Sequence, residues 1–136
     1  MKNLLAATLL SVAIFSCTDT KKQEKDLLEK VIKAHDRVMS NDELIMINKM
    51  QLDTLMKQSK DSVFKASVSK VAIQLDAVNT KMEDWMHNFD AENKNKSHEQ
   101  IMAYLNDQNK QIESIDIQMK TALSSSSNFI KQSKTK

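Results

Sequence analysis

Not one glycine or proline occurs in this 136-residue chain. An average chain of this length would carry roughly a dozen or more of the two together. Left-handed turns, hairpins of the Asn-Gly type and phosphate-cradling loops depend on these residues. A Walker loop and a Gly-x-Ser-x-Gly nucleophile elbow are therefore excluded. A β-rich fold is disfavoured, and a chain that is almost entirely helix fits best. Aromatic residues make up only 4% of the chain, so its core must be aliphatic and thioether.

The first residues have a different character. Met1-Lys2-Asn3 is a short basic start, and Leu4 to Phe15 is an apolar run broken only by Thr8 and Ser11. A membrane-spanning helix needs about 20 apolar residues, so this run is too short to be one. Ile14-Phe15-Ser16-Cys17 places an aliphatic residue at −3, a small one at −1 and then a thiol. The pattern reads as a secretory leader over residues 1–16, ending in a relaxed bacterial lipobox. Cys17 would be lipidated and become the mature N-terminus. Its acyl chains would suffice for stable membrane attachment. The expected location is the bacterial cell envelope, on the inner or the outer membrane, with the membrane itself as one partner. Cys17 is also the chain's one cysteine. Disulfides, thiolate metal clusters, Cys-x-x-Cys redox pairs and haem attachment through Cys-x-x-Cys-His are thereby ruled out.

A formal net charge of +2, with acids and bases interspersed, offers no basic stripe for nucleic acid. Residues 17–25 read as a polar tether, residues 26–131 as one helical domain and residues 132–136 as a disordered tail. The first helix is predicted to start near Lys22 to Asp26. Its stripe is Leu28, Val31, Val38, Ile45, Leu52 and Met56, with Ile32, Met39 and Met46 alongside. Ser40-Asn41-Asp42-Glu43 matches a capping box. Because the stripe resumes in phase beyond it, one continuous helix is expected.

The second helix has the clearest pattern. Phe64, Val68, Val71, Leu75, Val78, Met82, Trp85 and Phe89 alternate 4-3 spacings, a heptad seam of the coiled-coil kind. A polar loop, Ala91 to Lys96, follows. Ser97-His98-Glu99-Gln100 is a second capping box. It opens a third helix with the seam Ile101, Leu105, Gln108, Ile112, Ile115, Met119, Ala122 and Phe129. The weak helix formers Ser124 to Ser127 predict fraying beyond about Leu123. Short loops between long helices give an all-α fold, an antiparallel up-down-up three-helix bundle preceded by a signal peptide.

Matching heights across that bundle puts His35 level with about residue 84 and Met86 level with about residue 101. His35, Met39, Met82, Met86 and His87 would then gather at one end, with His98 and Met102 as alternates. Imidazole and thioether suit copper, Cu(I) above all, and a His/Met pair also ligates haem iron. Methionine is equally a flexible core filler, which accounts for the same residues by packing alone. Enzyme motifs are missing. His98-Glu99-x-x-Met102 has methionine where a zinc-protease helix needs its second histidine. Asp84-x-x-His87 occurs once, whereas a di-iron bundle repeats Glu-x-x-His.

Two segments, Ala34-His35-Asp36-x-Val38-Met39 and Asp84-Trp85-Met86-His87-x-Phe89, carry a resemblance. With the lipobox cysteine, they make the chain similar over its whole length to short bacterial lipoproteins labelled "viral A-type inclusion protein". The Trp-Met-His-x-Phe match is the most specific part. Where that family often has proline after the first methionine, this chain has Ser40. The resemblance implies a cell-envelope protein of uncharacterised role, with motif residues His35, Met39, Trp85, Met86 and His87.

The expectation is a lipid-anchored helical binding protein, not an enzyme, whose partner is another envelope protein. A soft-metal protein holding copper, or secondarily haem, in the His/Met cluster is the alternative reading. A chaperone-like helical clamp with an adaptable methionine surface is a third.

Overall fold

The computed structural model describes residues 16–134, with side chains from Asp19 onward. The leader expected over residues 1–16 therefore lies, but for Ser16, outside the described residues, as does the thiol of Cys17. Among the described residues the chain is all helical. Four segments follow one another: α1 (Ser16–Met39), α2 (Asp42–Gln58), α3 (Ser62–Asn88) and α4 (His98–Lys134). No helix among them is long and apolar enough to cross a membrane.

They pack as a helical bundle around one core. α4 lies against all three other helices, and α2 also packs on α3. The core is built from Val31, Ala34 and Val38 of α1, Ile45 and Leu52 of α2, and Val68, Leu75, Val78, Met82 and Trp85 of α3. α4 adds Ile112, Ile115, Met119, Leu123 and Ile130. These residues recur at the 3–4 spacing of one helical face. The α3 seam is thus buried as its spacing predicts, with Phe64, Val71 and Phe89 packed on the margin.

Three boundaries differ from expectation, each for a local reason. The first helix is already formed at Ser16, ahead of the start expected near Lys22. Residues 18–25 contain no helix breaker, so the polar segment continues the helix behind it. The first long helix is interrupted at Ser40 and Asn41. There the backbone tightens: Asn41 N–H donates to Val38 O three residues back, at 3.0 Å. The expected capping box does not form. Asn41 is the N-cap and makes no side-chain cap bond. The Ser40 hydroxyl instead donates to Arg37 O at 2.7 Å, and Asn41 Nδ2 to the same oxygen at 3.1 Å. Short polar side chains have here captured a backbone carbonyl from the helix they follow.

The third difference is at the C-terminal end. α4 does not fray after Leu123 but runs to Lys134. Ser126 is fully buried, and Asn48 Nδ2 donates to its hydroxyl at 2.8 Å and to that of Ser127 at 3.0 Å. Ile130 is buried beyond them, and Lys134 Nζ reaches Gln51 Oε1 at 2.9 Å. Tertiary packing overrides the weak propensity of serine. Asn48→Ala is accordingly expected to cost about 1–2 kcal/mol, the usual effect of losing a buried hydrogen-bond partner. Amide hydrogen exchange should accelerate across residues 124–134 more than across α3.

Two short links close the bundle. Asp61 caps α3, its side chain accepting from Val63 N–H at 2.9 Å. At the start of α4 the capping box forms as the sequence indicates. Ser97 N–H donates to Gln100 Oε1 at 2.9 Å, and Gln100 N–H to Ser97 Oγ at 3.3 Å. The loop ahead of it needs left-handed backbone, and with no glycine available Asn93 (φ 49°) and Asn95 (φ 63°) supply it. Asparagine tolerates this region better than other non-glycine residues. Asp90 organises the loop by accepting from Glu92 and Asn93 N–H groups and from Lys96 Nζ. The Lys96 hydrogen bond, then that of Asn93, holds the Asp90 carboxyl below its ordinary range.

Candidate functional site

The sequence directs attention to the histidines and methionines, and the fold distributes them. His35 lies beside Trp85, with ring centroids 6.0 Å apart. That agrees with the height expected from the α2/α3 turn. Its Nδ1 is 3.0 Å from Asp36 Oδ1. Met82 is in the core, while Met39 and Met86 are each more than one-third exposed. His87 is exposed in the last turn of α3.

His98 belongs to a different level. Its Nδ1 meets Glu24 Oε1 at 2.8 Å, tying the first turn of α4 to the early part of α1. Glu24 precedes His35 by about 16 Å along the helix, at 1.5 Å per residue. The two imidazoles therefore do not share a site.

The α3/α4 register also differs from expectation. Lys81 Nζ donates to Gln118 Oε1 at 2.6 Å, and Asp90 N–H to Tyr104 Oη at 2.7 Å. Trp85 shares a cleft with Gln108, Lys110 and Gln111. Met86 thus stands beside the region of Lys110 and not of Ile101. The loop is the reason. It occupies residues 89–97 in a compact, hydrogen-bonded form, so the pairing of the two helices is centred further along the chain. Among the described residues no group of three or more His, Cys, Asp or Glu side chains is placed to hold a metal ion.

What gathers at this end is an aromatic column. Trp85 stacks on Phe89 with centroids 4.8 Å apart, and Phe89 on Tyr104 at 6.2 Å. Lys96 Nζ closes the column, 4.4 Å from the Tyr104 ring centre. His35 flanks the other end through Trp85. Such offset rings contribute beyond their buried area. The Trp85 indole N–H is buried and has no hydrogen-bond partner among the described residues. The Trp85 and Phe89 periods were readable from the α3 seam, but the partners Tyr104 and Lys96 were not, because the folded loop brings them there.

A second feature escaped the sequence. Asp116 is only 3% exposed, yet it stands on the α4 surface that meets α1. Its Oδ2 accepts from Arg37 Nε at 3.2 Å and from Lys120 Nζ at 2.8 Å, while Arg37 also reaches Glu113 at 2.8 Å. Burial alone pushes the Asp116 carboxyl up, but the hydrogen bonds and charges of Lys120 and Arg37 outweigh it and hold the group below its ordinary value of 3.8. The carboxylate is therefore favoured in the folded state. Its contribution is present above that ordinary value and is lost as pH falls through the lower folded value. Thermal melts between pH 7 and pH 2 should show stability falling on the acid side below about pH 4. Asp116→Asn should flatten part of that limb. Arg37 and Lys120 are both solvent-facing, so the effect is screened by water and salt.

No family model matches the chain, and no curated protein or solved structure matches it either.

Proposed function

We propose that this chain is a lipid-anchored cell-envelope protein whose helical bundle binds another envelope protein and catalyses no reaction. One observation carries the reading, the outward face of α2. Met46 is 59% exposed, Met50 64% and Ile47 41%. Met50 neighbours Met46 at i, i+4 and Ile47 at i, i+3 on the helix surface. Apolar side chains grouped in water mark a contact surface, and methionine re-packs readily against differing partners.

The leader and lipobox pattern supports membrane attachment through Cys17. The cross-helix partners support an up-down-up arrangement. Glu24 with His98, Arg37 with Glu113 and Asn48 with Ser126 rise in number together, whereas Lys81 with Gln118 and Asp90 with Tyr104 run in opposite order.

The test is photo-crosslinking in the native envelope, with a photoreactive residue at position 46 or 50. A discrete heavier adduct is expected from both positions, and none from a control at the exposed position 30 of α1. Equal diffuse labelling at all three positions, or none at any, would overturn the reading.

A further inference from the structure

Between α3 and α4 runs an open cleft of about 610 Å³, lined in part by Lys81, Asp84, Trp85, Gln108, Lys110 and Gln111. Gln108 occupies a heptad position where an apolar residue would be expected. It is 91% buried, being 9% exposed, and its carboxamide has no hydrogen-bond partner among the described residues. Its amide atoms stay open to the cleft, where they can pair with whatever fills it. Two cations flank it. Lys110 has no carboxylate partner among the described residues, and Lys81 bonds only to the neutral Gln118 amide. Lys110 and Gln118 are about 12 Å apart along α4. That is the span of three to four residues of extended chain at about 3.3 Å each.

The geometry points to a docking site for an extended acidic peptide segment of a partner protein. Two carboxylates near 12 Å apart would engage Lys81 and Lys110. A carboxamide is donor and acceptor at once, so Gln108 can pair with a backbone peptide unit between them. The rings of Trp85 are occupied by Phe89 and His35. The cleft therefore does not offer a stacking face for a sugar or a base. Asp84 is its one carboxylate and works against a third acid in the ligand. The inference rests on the interaction-protein reading and specifies a second contact of that partner, away from α2.

The experiment titrates the purified full chain with acetyl-Glu-Ser-Ser-Ser-Glu-amide. The matching Lys-Ser-Ser-Ser-Lys peptide and free glutamate are the controls. Trp85, the chain's one tryptophan, gives a fluorescence signal, and the Gln108 side-chain amide gives an NMR signal. Saturable shifts in both are expected with the acidic peptide alone, weakening as salt rises. Gln108→Leu and Lys110→Ala should each weaken binding about tenfold, the loss of one good polar contact. Asp84→Asn should strengthen it. Helical circular dichroism checks that each variant is folded. No shift in either signal up to millimolar peptide, or equal binding of the basic peptide or of free glutamate, would overturn the proposal. A chain that fails here but still gives the adduct at α2 loses this cleft and keeps its interaction role. Failure of both removes that role as well.

Discussion

Replacing Leu75 by alanine should destabilise the bundle by about 2–5 kcal/mol, the range for deleting a fully enclosed aliphatic side chain. Leu75 has no exposed surface and sits at the centre of the α3 seam, within the core shared with α2 and α4. With a single cysteine the chain has no internal disulfide, so packing of this core is its main support. Domains of this size have total stabilities of about 5–15 kcal/mol, so the loss would be a large fraction of the whole. Urea unfolding followed by circular dichroism gives the value. Ile73, two positions away and 62% exposed, is the control. Ile73→Ala should change stability by less than about 0.5 kcal/mol. Similar losses at the two positions would show that α3 does not bury the face assigned to it.

Trp85→Ala should cost a comparable amount, about 3–5 kcal/mol, because it empties the largest site in the aromatic column. Phe89 would lose its stacking partner at 4.8 Å, and His35 would lose the ring at 6.0 Å. Trp85→Phe separates the ring from its N–H. The indole nitrogen is buried without a partner among the described residues, and an unmet buried donor costs about 1–3 kcal/mol. Removing it offsets part of the lost area, so Trp85→Phe should remain within about 1.5 kcal/mol of the parent. A phenylalanine variant as unstable as the alanine one would mean that the N–H is bonded in solution, through water or a ligand.

The α3 seam was legible because every residue from Phe64 to Phe89 that reaches the core obeys one period, and nothing at its ends competes. The α4 capping box was legible for the same reason, since Ser97 and Gln100 need only each other. The break after Met39 was harder to read. The apolar stripe continues in phase through it, and hydrogen bonds from Ser40 and Asn41 to a single carbonyl decide the matter. The serine run in α4 was misjudged because its helicity comes from Asn48, which is distant in sequence.

The candidate cluster was legible only in part. Counting residues back from the α2/α3 turn placed His35 beside Trp85, because that turn is short. The same counting misplaced Met86, because the loop from Phe89 to Ser97 is folded upon Asp90 and shifts the pairing of α3 with α4. Gln108 was placed on the inward seam of its helix, whereas Asp116 lies off that seam and is buried all the same. Periodicity marks a position as inward-facing but does not say which polar neighbour, if any, will meet it there.

The most direct measurement of the central claim, a greasy anchor joined to this bundle, is the intact mass of the protein extracted from its own membranes. A polypeptide beginning at Cys17, heavier by a thioether-linked diacylglycerol, is the expected result. A chain still carrying Met1 and a free thiol would contradict the account.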